Sequence, residues 1–148
     1  MLKKLRIIPA LVVSLLLGAT ANSAIARDTQ YMLPISEVLT GPEQGKFADV
    51  KFYFGKAATP QYLQKLGEVV GNKKTNALNK GDEEACRWVA ASVLIEMAER
   101  AKSLGGNAVV NIRSFYKKNE HWDNGLYECH AGATVAGVTL KGDVVKLP

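Results

Sequence analysis

The sequence predicts an α+β domain of order β-β-α-β-β, in which one long helix covers a mainly antiparallel sheet and an irregular arm precedes both. Three observations predict it. Residues 82–104 carry helical periodicity with start and stop signals at either end. Short alternating segments lie on both sides of that helix. Residues 27–148 are ample for one domain and few for two.

The chain opens on a basic start, Lys3, Lys4 and Arg6. An apolar run over 7–18 follows, broken by Pro9 and Ser14, and then small residues ending in Ala24–Ile25–Ala26. This pattern predicts a secretory signal peptide over 1–26, cleaved after Ala26. The apolar run is short of the roughly 20 residues that a spanning helix needs. No cysteine lies near the cleavage point for lipid attachment. The expected product is periplasmic, with no stable membrane anchor.

The formal net charge is +5, and the three charges of the leader leave +2 on residues 27–148. The basic residues are scattered apart from the pairs Lys73–Lys74 and Lys117–Lys118, so no stripe neutralises phosphates and no nucleic-acid partner is expected.

Residues 27–49 hold Pro34, Gly41, Pro42 and Gly45 and read as the arm, with a helical turn at Ile35–Leu39. The body, 50–148, begins with a strand over Val50–Phe54, where Val50, Phe52 and Phe54 share a side. A second strand is expected over Leu66–Val70, and the polar stretch 72–81 reads as a loop. In the helix, Asp82 is the expected cap, Glu83 and Glu84 suit the positive end of the dipole, and Gly105–Gly106 supplies the stop. At about 100° per residue, Cys86, Ala90, Val93, Met97, Ala101 and Leu104 fall on one face, while Trp88, Ala91 and Ile95 lie nearly opposite. The first face is expected on the sheet. The second must be hidden by the arm, over Leu33–Leu39, or by a second copy of the chain in a homo-oligomer. In the strand over 108–116, Ala108, Val110 and Ile112 face one way, and Asn111 and Arg113 the other. Residues 117–125 are polar, with a turn at Asn124–Gly125. A last long strand over 126–140 puts Tyr127, Cys129, Ala131, Ala133 and Val135 on one face, with a bulge expected at Gly137.

Cys86 and Cys129 are the two cysteines. An even count in an exported chain predicts a disulfide, and both residues point into the interface between helix and sheet. Two buried thiols or a metal site are the competing readings. Glu120, His121, Asp123, Glu128, Cys129 and His130 gather candidate metal ligands. Neighbours on a strand leave opposite faces, so Cys129 and His130 do not share an ion. A surface site of His121, His130 and Glu128 remains, and its spacing matches no strong metal motif. Gly67 to Thr75 fails as a phosphate loop, because Asn72 precedes Lys73 and Lys74 separates it from Thr75. No nucleophile with a base partner is visible, so no enzyme activity and no cofactor are expected.

Glu84-Ala-Cys86, the run AERAKSLGGNAVVNI over 98–112, Cys129 and Gly137 together resemble the RcsF-type and YbjQ-type domains. RcsF is an envelope stress-sensing lipoprotein. The YbjQ family is an oligomeric domain often labelled heavy-metal-binding. The resemblance implies their fold and a Cys86–Cys129 bridge, with Gly137 and Leu140 in register. The second RcsF bridge has no counterpart, since Ser114 and Val135 are not cysteines, and the lipid-bearing cysteine is absent. Residues 27–148 also resemble small exported proteins of gram-negative bacteria, some of which carry the description excinuclease ATPase subunit. No nucleotide site or zinc module is visible in these residues. The function expected is a non-catalytic periplasmic binding or envelope stress-sensing module. Its partner, an envelope protein or a small ligand, would meet the loops at 72–81 and 117–125 or the face of Trp88. The alternatives are a metal-binding domain using surface histidines and, third, a small periplasmic hydrolase.

Overall fold

The computed structural model describes residues 26–57 and 59–148. Except for Ala26, the leader falls outside them. One main helix lies on a curled sheet of six strands, an α+β arrangement. The strands are β1 (Thr29–Pro34), β2 (Lys51–Phe54), β3 (Gln64–Asn76), β4 (Ala108–Ser114), β5 (Leu126–Ala131) and β6 (Val135–Lys146). The helices are the short α1 (Ile35–Leu39) and the long α2 (Asp82–Ser103). Three strands precede α2 and three follow it, so the β-β-α-β-β order is corrected.

β6 is the hub. One edge pairs with β3 along its whole length; the other pairs with β5 at its start and with β4 further on. β1 adds to β5 antiparallel, and β2 adds to β4 as the one parallel pair among the described residues. The start of the arm is therefore strand, and the helical turn at Ile35–Leu39 is present as α1. Residues 72–76, expected in a loop, continue β3, with Asn72 opposite Thr139 and Asn76 opposite Val135. Their polar side chains carry no strand signal; pairing with β6 holds them. The expected strand over 126–140 divides at residues 132–134, which leaves Ala133 and Val135 exposed, and Gly137 sits in regular register opposite Lys74 and His130 rather than in a bulge.

The helix start also differs. Gly81 is the N-cap residue, with no side-chain cap. Asp82 spends its carboxylate on Arg27 and Tyr31 instead. The stop is as expected: Gly105 takes φ +82°, and the Gly106 N–H bonds the Ala101 carbonyl at 2.8 Å. Cys86, Ala90, Val93, Met97 and Ala101 are fully buried on the sheet, whereas Leu104 is exposed at the helix end. Burying a side chain as large as Met97 or Val93 contributes on the order of 1.5–3 kcal/mol. Gly71 in β3 lets the helix approach: a Cβ there would lie 2.7 Å from Val93 Cγ1 and 3.0 Å from Met97 Cγ.

Asn111 adopts φ +54° at a register break between β4 and β6. Asparagine tolerates this left-handed conformation better than most residues. The extra residue breaks the alternation, so Val109 and Ile112 join the main core under α2. Ala108 and Val110 pack on the opposite face with Val145, which corrects the shared face expected for Ala108, Val110 and Ile112. Tyr53 and Leu147 pack against them, and charged groups lie beside this patch. Arg113, 8% exposed, pairs with Glu120 at 3.1 Å and Glu68 at 3.8 Å, and Lys141 pairs with Glu68 at 3.1 Å.

The far edge of β3 meets no other strand among the described residues. Arg100 from α2 reaches it and donates to the Val70 carbonyl at 2.9 Å. Among the described residues, no helix is long and apolar enough to cross a membrane.

Candidate functional site

Cys86 and Cys129 form a disulfide between α2 and β5, with Cα atoms 5.9 Å apart and both residues fully buried. Strand alternation then sends Glu128 and His130 to the sheet face away from the helix. There His130 is held on both sides. Nδ1 lies 2.9 Å from an Asp28 carboxylate oxygen, and Nε2 lies 2.6 Å from a Glu128 oxygen. Its ring stacks on Tyr116 at 3.5 Å between centroids. Asp28, Tyr116 and His130 border an open basin of about 350 Å³ with Arg27, Lys74 and Gly137. Both ring nitrogens of His130 are thus engaged by carboxyl oxygens of the protein's own side chains.

His121 stands elsewhere in its setting: it is exposed, and its backbone exchanges hydrogen bonds with Ser114 at 2.9 and 3.0 Å. Among the described residues, no three His, Cys, Asp or Glu side chains come together to hold a metal ion. The structure thus joins Glu128 to His130 and leaves His121 out. It also adds Asp28 and Tyr116, which the sequence reading missed. Asp28 arrives through the β1–β5 register, in which Gln30 opposes His130. No local signal announces that pairing. The loop at 117–125 holds Trp122, with the Lys56 ammonium 4.4 Å and the Arg113 guanidinium 4.7 Å from its ring. Asp123 closes the turn that follows by accepting from the Gly125 and Leu126 N–H groups, which hold its carboxyl below the usual range.

The segment entering β1 is pinned. Arg27 donates to both Asp82 oxygens at 2.7 and 3.1 Å and to the Gly132 carbonyl at 2.7 Å, and Tyr31 donates to Asp82 at 2.8 Å. The Arg27 guanidinium, then the Tyr31 hydroxyl, hold the Asp82 carboxyl below the usual aspartate value. A depressed carboxyl contributes stability that is present above its unfolded value and is lost as pH falls through the folded one. Protection factors of the β1 amides, taken relative to intrinsic exchange at each pH, are therefore expected to fall below about pH 3.9. Asp82→Asn should remove that acid dependence while leaving the α2 amides protected. Unchanged β1 protection across this range would refute the pin.

The second concavity lies between the two helices. α1 packs on α2 and buries Val38 and Ala91, and Ile95 is half-buried against the core. The arm thus hides most of the second apolar side of α2. Trp88 escapes: it is 48% exposed at the lip of a groove of about 110 Å³. The groove is lined by Val38, Pro42, Glu84, Arg87 and Ala91 besides Trp88 itself. Arg87 leans across to Glu37 at 3.4 Å and Glu83 at 4.0 Å.

The Tyr127 phenol feels these same three charges, Arg87, Glu37 and Glu83, while burial pushes its ionisation upward. Its hydroxyl is buried and has no hydrogen-bond partner among the described residues. An unpaired buried hydroxyl costs about 1–3 kcal/mol in desolvation. Tyr127→Phe is therefore expected to leave the urea midpoint unchanged or to raise it by up to about 1 kcal/mol equivalent. A clear loss of stability would mean that the hydroxyl is paired in solution.

Set against known proteins, the chain matches no family model, and no curated protein or solved structure matches it.

Proposed function

We propose that this protein is an exported, non-catalytic binding module of the gram-negative envelope, working in the periplasm, and that it meets its partner at the groove beside Trp88. One observation carries the reading. A large aromatic on the long helix stands half in solvent at the edge of a concave, mainly apolar site. Tryptophans in such settings dominate binding energy at protein interfaces. The His130 ring, by contrast, is already held between Asp28 and Glu128. The buried disulfide supports an oxidising compartment, where such bonds persist. It also supports kinship with RcsF-type domains, as does the helix stop at Gly105. The leader over 1–26 supports export and maturation at Arg27.

Two measurements test this. Intact mass of the periplasmic protein is expected to correspond to a chain starting at Arg27 with no free thiol. A photo-crosslinking amino acid placed at position 88 in living cells is expected to give discrete adducts that are absent when it replaces Trp122. A chain retaining Met1 would refute export. Identical adduct patterns at 88 and 122 would refute the groove.

A further inference from the structure

We infer that the Trp88 groove receives a segment of a partner protein that presents one aliphatic side chain flanked by lysine or arginine. The inference rests on the binding reading above and names the chemistry of the partner. Size argues for a single side chain. Pockets for drug-sized ligands run to about 300–1,000 Å³, and this groove holds about 110 Å³ between Val38, Pro42, Trp88 and Ala91. That is room for one side chain of leucine size, the way a hot-spot pocket takes an anchor.

Charge argues for basic flanks. Three carboxylates, Glu37, Glu43 and Glu84, line the groove, against the one guanidinium of Arg87. Arg87 is divided between Glu37 and Glu83, and Glu43 is paired by Lys46 on its own turn. Glu84 makes no ion pair among the described residues and is exposed beside Trp88. The uncompensated charge at the rim is therefore negative, at Glu84 and at Glu37 and Glu83, which share the single Arg87. A cation brought to this rim gains the carboxylates, and the exposed face of the Trp88 indole attracts it further.

The probe is a synthetic peptide with one leucine between two pairs of lysines, titrated into the unsubstituted protein. The two tryptophans give two indole N–H resonances, so the site reports on itself. The Trp88 resonance is expected to shift saturably while that of Trp122 stays in place. A peptide with glutamates for lysines is expected to bind at least roughly tenfold more weakly, and one with serine for leucine likewise. Affinity for the lysine peptide should fall as salt rises. Glu84→Gln, on an exposed helix position, should weaken the lysine peptide severalfold. Equal binding of the lysine and glutamate peptides overturns the inference, as does equal binding with serine for leucine. A Trp88 resonance that moves with protein concentration alone overturns it too, since a second copy would then be the occupant. Crosslinks at position 88 together with no peptide binding refute the chemistry and spare the groove. Peptide binding at Trp88 with no cellular crosslinks upholds the groove and its chemistry and refutes the cellular partner.

Discussion

Replacing both Cys86 and Cys129 by alanine is expected to lower the unfolding free energy by about 2–4 kcal/mol, the largest loss among the substitutions considered. The bond closes a sequence separation of 43 residues, which holds the whole second half of α2, all of β4 and the turn before β5. In the chain-entropy description, opening a loop of that length returns on the order of 4 kcal/mol of freedom to the unfolded chain, before native strain is counted. Both half-cystines are fully buried, so the alanines also leave a small void under α2. Urea unfolding of the wild type with and without reductant separates these effects. The reduced wild type should approach the double variant, with the void as the remaining difference. A midpoint that ignores both reductant and substitution would refute the bond as a structural tie.

Gly71→Ala should cost about 1–3 kcal/mol, the usual range for overpacking a filled core. The sign is not obvious in advance. Gly71 does not take a positive φ, and glycine to alanine at such a site commonly stabilises by about 0.4–1 kcal/mol through the unfolded chain. Here the new methyl meets Val93 Cγ1 at 2.7 Å, Met97 Cγ at 3.0 Å and the Val93 carbonyl at 3.3 Å. The carbonyl belongs to the helix and yields only if α2 lifts. Contact therefore outweighs chain entropy. Val93→Ala in the same chain removes the closest clash, and the pair should recover part of the loss, by a coupling of about 0.5–3 kcal/mol. Denaturation midpoints of the two single variants and the double variant give that coupling. Purely additive losses would mean that β3, not the helix, absorbs the methyl.

What the sequence revealed follows from the range of the forces involved. The long helix was legible because its signals are local: three acids at its start, periodic apolar residues, and a glycine pair at its end. The bridge was legible because face parity on the helix and on the strand can be counted separately and then matched. The same parity placed Glu128 and His130 together. β1 was not legible, since its place is set by β5 nearly a hundred residues away. Nor was the far half of β3, where Asn72, Lys73 and Lys74 owe their extended form to β6 alone. Asn111 misled the reading of β4 because one left-handed residue reverses every side chain beyond it. Asp28 and Tyr116 reach His130 only through these distant pairings. The Trp88 side of α2 was visible as surplus apolar surface, but dividing it between covered Ala91 and open Trp88 needed the position of α1.

The free rim of β3 runs for 13 residues. A ribbon of unused backbone donors and acceptors that long is a template on which identical molecules stack into fibrils. Lys65, Lys73 and Lys74 guard it: two copies aligned there would bring ammonium groups of like sign together. The guanidinium of Arg100 already occupies an acceptor halfway along. Dispersal of the molecules at high local density thus depends on four cations that neither the core nor the groove requires.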